Sequence, residues 1–86
     1  MTCVVIYSRP GCHLCDEMKS VVARVGLSIP IDVLEVDIST DQHLISLYGL
    51  EVPVLLVDGA KAAKYRISET ELRRILRGRA RPLDPN

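Results

Sequence analysis

The chain contains two kinds of hydrophobic pattern, and these predict strands and helices in alternation. Mostly apolar, β-branched runs begin at Thr2, Asp32 and Pro53, and such runs are typical of strands buried inside a sheet. Elsewhere apolar residues recur at intervals of three and four, which indicates amphipathic helices. The predicted strands are β1 (2–7), β2 (32–38), β3 (53–57) and β4 (60–66), and the predicted helices are α1 (12–26), α2 (39–49) and α3 (68–78).

Turn and capping residues mark where these elements end. Asp58-Gly59 lies between β3 and β4 and is a strong hairpin signal. Ser39 and Ser68 are followed three residues later by Gln42 and Glu71, so each pair is predicted to start a helix as a capping box. The glycines predicted to end the three helices are Gly26, Gly49 and Gly78.

The order β1-α1-β2-α2-β3-β4-α3 predicts one α/β domain. A helix joins β1 to β2, so these strands should be parallel with a right-handed crossover, whereas β3 and β4 should be antiparallel. The edge strand β4 and its end carry Lys61, Lys64 and Arg66, charges that oppose pairing with other chains. The 86 residues have room for one domain, assigned to 1–78; residues 79–86 lack periodicity and are expected to fray.

The composition limits the classes of partner and the cellular compartment that we expect for this protein. The chain has 11 basic and 11 acidic residues, and it has three Tyr but no Trp or Phe. A strongly basic nucleic-acid-binding surface with stacked aromatic rings is therefore not expected. No apolar run is long enough to span a membrane, and no signal-peptide pattern is present. We expect a monomeric cytoplasmic protein that binds neither nucleic acid nor a membrane.

Charge is divided unevenly along the chain. Residues 1–60 contain three basic and eight acidic side chains, whereas residues 61–86 contain eight basic and three acidic ones. Arg73, Arg74 and Arg77 would lie on or near one side of α3. A solvated edge strand and helix face explain this excess, and an electropositive patch for an anionic partner is the alternative.

Cys12 and Cys15 are a close pair among the three cysteines, and they lie where α1 is predicted to begin. In a reducing compartment such a pair is more often catalytic or metal-binding than structural. At positions i and i+3 of a helix the Cβ atoms are about 5–6 Å apart, close enough for a disulfide. The helix N-terminus favours an anion, so Cys12 should ionise more easily than Cys15. Cys12 would attack a disulfide, and Cys15 would then release the product.

A structural zinc site is a second interpretation of this pair. Such sites need four ligands and usually a second ligand pair. Cys3 begins β1, roughly 15 Å from the loop that follows the strand, and is expected to be a small buried hydrophobic residue. His43 is expected to face solvent on α2. The remaining candidate ligand is His13, between the two cysteines.

Three motifs along the chain resemble those of one protein family. Residues 7–15 read Tyr-Ser-Arg-Pro-Gly-Cys-His-Leu-Cys, Val52-Pro53 precedes a buried strand, and Asp58-Gly59 follows it. In these motifs and in element order, nearly the whole chain resembles the glutaredoxins, and its site resembles that of short bacterial glutaredoxin-like proteins. The resemblance implies the thioredoxin fold, with a four-stranded mixed sheet in the order 2-1-3-4 and three flanking helices. It also implies a cis Pro53 that faces the cysteine pair.

The resemblance also assigns roles to residues near the pair. It places Cys12, Cys15, His13 and Pro53 at the catalytic site, and Arg9, Gly11 and Val52 at the substrate-binding site. The backbone of Val52 would pair with the substrate. His13 could stabilise the Cys12 thiolate, and Arg9 could add positive charge; the alternative for each is an exposed residue without a partner.

The glutathione signature of the family is incomplete here. Glu51 stands where Thr usually precedes Val-Pro, and a lone Gly59 stands where a Gly-Gly pair followed by an acid is usual. Glu51 is also expected to repel an anionic tripeptide, for which Arg9 and Lys61 are candidate cations. We therefore expect poor use of glutathione as a co-substrate, and no other cofactor.

Together these patterns predict a thiol–disulfide oxidoreductase that acts through a mixed disulfide. Its partners would be a disulfide-containing protein or a small thiol, and a reductase of unknown type would supply electrons. One alternative is a non-catalytic module that binds a metal or an iron–sulfur cluster through Cys12, against which the presence of Cys15 argues. Another is a thioredoxin-fold domain that binds a partner protein and has an incidental cysteine pair.

Overall fold

Four strands form one mixed sheet in the structure, a computed structural model that describes residues 2–79. The strands are β1 (Thr2–Ser8), β2 (Ile31–Asp37), β3 (Val54–Val57) and β4 (Ala60–Lys64), and their order in the sheet is β2-β1-β3-β4. β1 is parallel to β2 and antiparallel to β3, which is antiparallel to β4. The helices are α1 (His13–Gly26), α2 (Gln42–Tyr48) and α3 (Glu69–Arg79), with a 3-10 turn at Ile38–Thr40. The predicted element order, strand order and strand directions are confirmed.

The main core lies between one face of the sheet and the helices α1 and α3. Alternate residues of β1 point to this face, so Val4 and Ile6 are buried. Their neighbours come from one side of each helix and from β3: Met18, Val22, Val25, Leu55, Val57, Leu72 and Leu76. No aromatic ring belongs to this group, so the core depends on close packing of aliphatic chains and one Met.

The opposite face of the sheet is best covered near the carboxyl end of β1. There Tyr7 stacks on Tyr48 of α2, with the ring centroids 4.7 Å apart. Cys3 lies on the same side of β1 as Tyr7, four residues earlier, and is exposed. The prediction that Cys3 is buried is therefore wrong. The physical reason is that α2 is only seven residues long and packs beside Tyr7, which leaves the start of β1 uncovered.

The start of α2 also differs from the prediction. The Asp37 carboxylate accepts the Ser39 N–H at 2.8 Å and caps the 3-10 turn. The Asp41 carboxylate accepts two N–H groups in the first turn of α2, and so caps that helix. Ser39 lies inside the turn and forms no capping box with Gln42. Two Asp side chains, which are N-caps as good as Ser, flank this segment and define both starts.

Other boundaries shift by a few residues for identifiable reasons. α1 ends at Gly26, as predicted, whereas α3 continues through Gly78 to Arg79, so Gly78 does not end its helix. Ile38 leaves the sheet to join a second apolar cluster, which moves β2 one residue earlier. Pro53 precedes β3, and β4 ends before Tyr65, whose φ is 69°.

The β3–β4 hairpin and the start of α3 confirm two predictions. Asp58 and Gly59 have φ of 50° and 85°, and a two-residue type I′ turn requires both to be positive. The Ser68 Oγ accepts the Glu71 N–H at 3.0 Å. The tail predicted to fray, 79–86, lies outside the described residues apart from its first residue, which ends α3. Among residues 2–79 no helix is long and apolar enough to cross a membrane.

A polar network joins β1, α1 and β2 at the edge of the core. Glu35 Oε2 accepts hydrogen bonds from Lys19 Nζ at 2.9 Å and from Ser8 Oγ at 3.0 Å. The bond from Lys19, and then that from Ser8, hold the pKa of Glu35 below its usual value. Ser8 is only 3% exposed, so Glu35 supplies the partner that a buried hydroxyl needs.

This network predicts a pH-dependent contribution to stability. We expect Glu35→Gln to lower the free energy of unfolding at pH 7 by on the order of 0.5 kcal/mol, as for other half-exposed ion pairs. The folded-state pKa of Glu35 lies below its unfolded value of about 4.3. Its contribution is therefore complete above that value and is lost as the pH falls through the folded-state pKa. Chemical denaturation of both proteins at pH 7 and at about pH 2.5 measures the difference; an equal difference at both values would contradict the prediction.

Candidate functional site

Cys12 and Cys15 form a disulfide across the N-terminus of α1. After β1 the chain turns through Gly11, whose φ of 73° is strained for any residue with a side chain. The Cα atoms of the two cysteines are 5.1 Å apart. Cys15 is buried, whereas Cys12 is partly exposed. Of the two cysteines, Cys12 is thus the one nearer to solvent.

Cys12 occupies the N-cap position of α1. Its Sγ accepts a hydrogen bond from the Cys15 N–H at 3.1 Å, and its C=O accepts the Asp16 N–H at 3.2 Å. When the disulfide is reduced, the same N–H donor and the helix dipole stabilise a thiolate at Cys12. The exposed Asp16 is a negative charge nearby, and Lys19 at 3.4 Å offsets it.

The Val52-Pro53 segment packs beside the disulfide, and the peptide bond between these residues is cis, as the resemblance implied. The Val52 side chain packs with Cys15 and Ile38, and Cys12 borders the same cluster. The backbone N–H and C=O of Val52 have no hydrogen-bond partner among residues 2–79. Strand addition of an extended chain uses unpaired backbone groups of this kind.

Tyr65, just after β4, holds this segment in place. Its N–H donates to the Pro53 C=O at 2.8 Å, and its hydroxyl donates to the Leu50 C=O at 3.1 Å. Its positive φ is uncommon for a residue with a side chain, and these bonds maintain that conformation. The sequence analysis missed Tyr65, because contacts with residues 12 and 15 positions away leave no local pattern.

Glu51 forms ion pairs with two lysines of β4. Its carboxylate forms a hydrogen-bonded ion pair with Lys61 and lies 3.6 Å from the Lys64 Nζ. The hydrogen bond from Lys61 holds the pKa of Glu51 below its usual value. These ion pairs offset the charge of Glu51, and its expected repulsion of an anionic tripeptide stays a prediction. Lys61, a predicted cation for the substrate, is engaged by Glu51.

His13 and Arg9 flank Cys12 in the sequence and differ in their contacts. The His13 side chain is 89% exposed, and its Nε2 lies 3.3 Å from Glu17. Arg66 lies 3.9 Å from the second oxygen of the same carboxylate. The imidazole is thus drawn toward Glu17. Arg9 is exposed and forms neither an ion pair nor a hydrogen bond with residues 2–79.

Two of the arginines of α3 are paired within their own helix. Arg73 lies 3.9 Å from Glu69, and Arg74 forms a hydrogen-bonded ion pair with Glu71. Arg77 is exposed and makes no ion pair with the described part of the chain. These contacts favour the interpretation of α3 as a solvated helix face over that of a concentrated electropositive patch.

The described residues offer no metal-ligand cluster. Within 2–79, no group of three or more His, Cys, Asp or Glu side chains is placed to hold a metal ion. His43 is exposed on α2, in agreement with its prediction, and Cys3 is exposed near the start of β1. A closed zinc site needs four ligands, so the zinc interpretation gains no support from this part of the chain.

Comparison with solved structures shows proteins similar to this chain. The X-ray structure of protein XcR50 from X. campestris superposes with a TM-score of 0.74, at 32% identity, over 86% of this chain and 95% of that chain. Protein Ne2328 from Nitrosomonas europaea, solved by NMR in solution, gives a TM-score of 0.75 at 26% identity, over 86% of this chain and 89% of that chain. A search of curated proteins gives no match.

A thioredoxin shares the fold at lower identity. The reduced desulfothioredoxin from Desulfovibrio vulgaris Hildenborough superposes with a TM-score of 0.67 at 24% identity, over 88% of this chain and 79% of that chain. The sequence model of the family described as "Glutaredoxin-like domain (DUF836)" matches residues 3–77, which include the disulfide and the Val52-Pro53 segment. The chain therefore belongs to the glutaredoxin-like domain family.

Proposed function

We propose that this protein is a thiol–disulfide oxidoreductase that reduces disulfides of partner proteins. The observation that carries the proposal is the position of Cys12, a partly exposed residue whose Sγ accepts the Cys15 N–H at the start of α1. A thiolate at this place is both stabilised and accessible, as a nucleophile in disulfide exchange must be. Membership of the glutaredoxin-like family supports a redox role.

The proposed exchange takes two steps. In the first, the Cys12 thiolate attacks one sulfur of the substrate disulfide, and the other substrate sulfur leaves as a thiolate that takes up a proton. In the second, the Cys15 thiol loses its proton and attacks the Cys12 sulfur, which displaces the remaining substrate thiolate. The substrate gains two electrons and two protons, and the protein is left with the Cys12–Cys15 disulfide. A dithiol reductant then restores the two thiols.

Neighbouring residues position the substrate in this proposal. The free backbone groups of Val52 pair with the chain that carries the disulfide, beside the Cys12 sulfur. His13 contributes through its charge when protonated, and Glu17 limits that contribution by holding the imidazole at 3.3 Å. The acidic and Gly-Gly elements of a glutathione site are lacking, and Lys61 is engaged by Glu51. We therefore propose a protein disulfide as the substrate and a dithiol reductase as the electron donor, in a reducing compartment such as the cytoplasm.

The function is tested by trapping the intermediate. In Cys15→Ser the first step is intact and the second is blocked. With insulin whose disulfides are intact as the substrate, a mixed disulfide between Cys12 and one cysteine of an insulin chain should therefore accumulate. Cys12→Ser should form none, and Cys3→Ser, which alters an exposed cysteine away from the disulfide, should match the unmodified protein. Non-reducing electrophoresis with mass spectrometry identifies the adduct. An adduct through Cys3, or none in Cys15→Ser, would overturn the proposal.

The three cysteines should differ in their rate of alkylation. In the reduced protein at neutral pH, iodoacetamide should modify Cys12 faster than Cys3, although Cys3 is the more exposed residue. The reason is that only Cys12 has its sulfur at a helix N-terminus, and the thiolate is the reactive form. Mass spectrometry of time points gives the two rates. Faster labelling of Cys3 at neutral pH would contradict the assignment.

Tyr65 should act as a positioning residue for the Val52 segment. Tyr65→Phe removes the hydrogen bond to the Leu50 C=O and keeps that to the Pro53 C=O. We expect KM for a protein disulfide to rise by roughly threefold, the effect of one ordinary hydrogen bond. A small neutral disulfide, which does not pair with Val52, should be reduced at the same rate.

The matched control is Tyr48→Phe. It removes a hydroxyl that has no hydrogen-bond partner among residues 2–79 and keeps the stacked ring. Steady-state kinetics of both variants with both substrates distinguishes two effects. One is the loss of the hydrogen bond that positions the Val52 segment, and the other is a general loss of stability. Equal losses for the two substrates in Tyr65→Phe would show that its hydroxyl does not position the segment.

A further inference from the structure

A cleft opens on the side of α2 and is lined in part by Ile38, which packs with Cys15. Its volume is about 390 Å³, within the range of ligand-binding pockets. The residues that line it are Arg9, Ile38, Ser39, Ile45, Gly49 and Leu50. We name it the α2 cleft. It is distinct from the Val52 backbone, which the proposed exchange already uses.

The α2 cleft is connected to the reacting sulfur through its walls. Ile38 lines the cleft and also packs with Cys15 and Val52 beneath the disulfide. Arg9 precedes Cys12 by three residues, so their Cα atoms are at most about 11 Å apart. Residues of an extended chain are spaced by about 3.3 Å. A substrate chain paired at Val52 can therefore place a side chain two or three residues from its cysteine in this cleft.

The cleft combines apolar walls with one uncompensated cation. Leu50 is 94% exposed and Ile45 is 36% exposed, so both present apolar surface to solvent. The basic side chains that pair with carboxylates in the described chain are Lys19, Arg24, Lys61, Lys64, Arg66, Arg73 and Arg74. Within residues 2–78, Arg9 and Arg77 have no such partner, and of these two only Arg9 lines the cleft.

We propose that the α2 cleft binds a partner polypeptide that carries a large aliphatic side chain and a carboxylate within three residues of its disulfide cysteine. This inference rests on the proposed thiol–disulfide exchange and names the substrate class for it. The carboxylate pairs with Arg9, which gains the partner it lacks. The aliphatic side chain covers Leu50 and Ile45, which removes exposed apolar surface from water. Glutathione supplies carboxylates but no aliphatic side chain, so it leaves the apolar walls uncovered.

The test compares four disulfide-linked peptides that differ only near the cysteine. The four peptides carry Leu and Glu, Leu and Gln, Ser and Glu, or Ser and Gln near the cysteine. In each peptide these two residues are moved through the three positions before and the three positions after the cysteine. With dithiothreitol as reductant, we expect kcat/KM for Leu-Glu to exceed that for Leu-Gln by about tenfold at the best position, as for one charge-assisted hydrogen bond at a partly exposed site. Leu should exceed Ser by a similar factor.

Variants assign each preference to one wall of the cleft. Arg9→Gln should abolish the preference for Glu over Gln, and Arg9→Glu should favour a Lys peptide instead. Leu50→Ser should abolish the preference for Leu and keep that for Glu. Arg77→Gln is the matched control, because it removes the other unpaired arginine, outside the cleft. Each readout is a ratio between two peptides, so a general loss of activity in a variant cancels.

Binding measured without chemistry separates this inference from the proposed function. Peptides with Ser in place of the cysteine are titrated against the protein, and NMR shifts are followed at residues of the α2 cleft. Shifts for Leu-Glu that weaken in Arg9→Gln would support the cleft even if every disulfide, including a small neutral one, proved inert, a result that would overturn the exchange alone. Equal kcat/KM for all four peptides at every position would overturn the cleft. It would also be overturned if glutathione disulfide surpassed every peptide and lost that advantage in Arg9→Gln.

Discussion

The hydrogen bond from the Cys15 N–H to the Cys12 sulfur is the interaction on which the rest of the site depends. It exists because α1 begins at His13, which leaves Cys12 at the N-cap with its side chain turned toward the first free N–H groups. The rotation of the helix is set further along, where Met18 and Val22 are buried against the sheet. The same rotation turns Cys15 inward. An amphipathic pattern that stabilises the core thus also makes one sulfur accessible and the other protected.

A site that pairs with the backbone of a substrate must leave its own backbone N–H and C=O groups without partners. Such groups raise the free energy of the folded state where they are buried. The protein resolves this conflict around Val52 by fixing the residues on either side. Tyr65 bonds the carbonyls of Leu50 and Pro53, and Lys61 and Lys64 hold the Glu51 side chain. Each tether comes from β4 or the residue after it. The edge strand therefore supports the segment that we propose binds substrate, rather than only completing the sheet.

Local chemistry allowed much of the fold and the site to be predicted from the sequence. Asp58-Gly59 fits a type I′ turn, Ser68 caps α3, and the cysteine spacing places a pair on a helix start, because each depends on neighbours within a few residues. Features set by distant parts of the chain were missed. Cys3 is exposed because α2 is short, and the contacts of Tyr65 join residues far apart in sequence. The cis Pro53 was expected from family resemblance, since proline alone only permits that state.

The uneven charge of the two halves of the chain is partly offset when the chain folds. Several of the basic residues after position 60 meet acids from the first half: Lys61 and Lys64 reach Glu51, and Arg66 reaches Glu17. Arg24 provides the reverse pairing with Glu69. A charge count along the sequence therefore describes the chain before folding. The charge of the folded surface depends on the charged side chains that have no ion-pair partner. At the α2 cleft the unpaired charged side chain is that of Arg9. No carboxylate in the described part of the chain offsets its effect on an approaching anion.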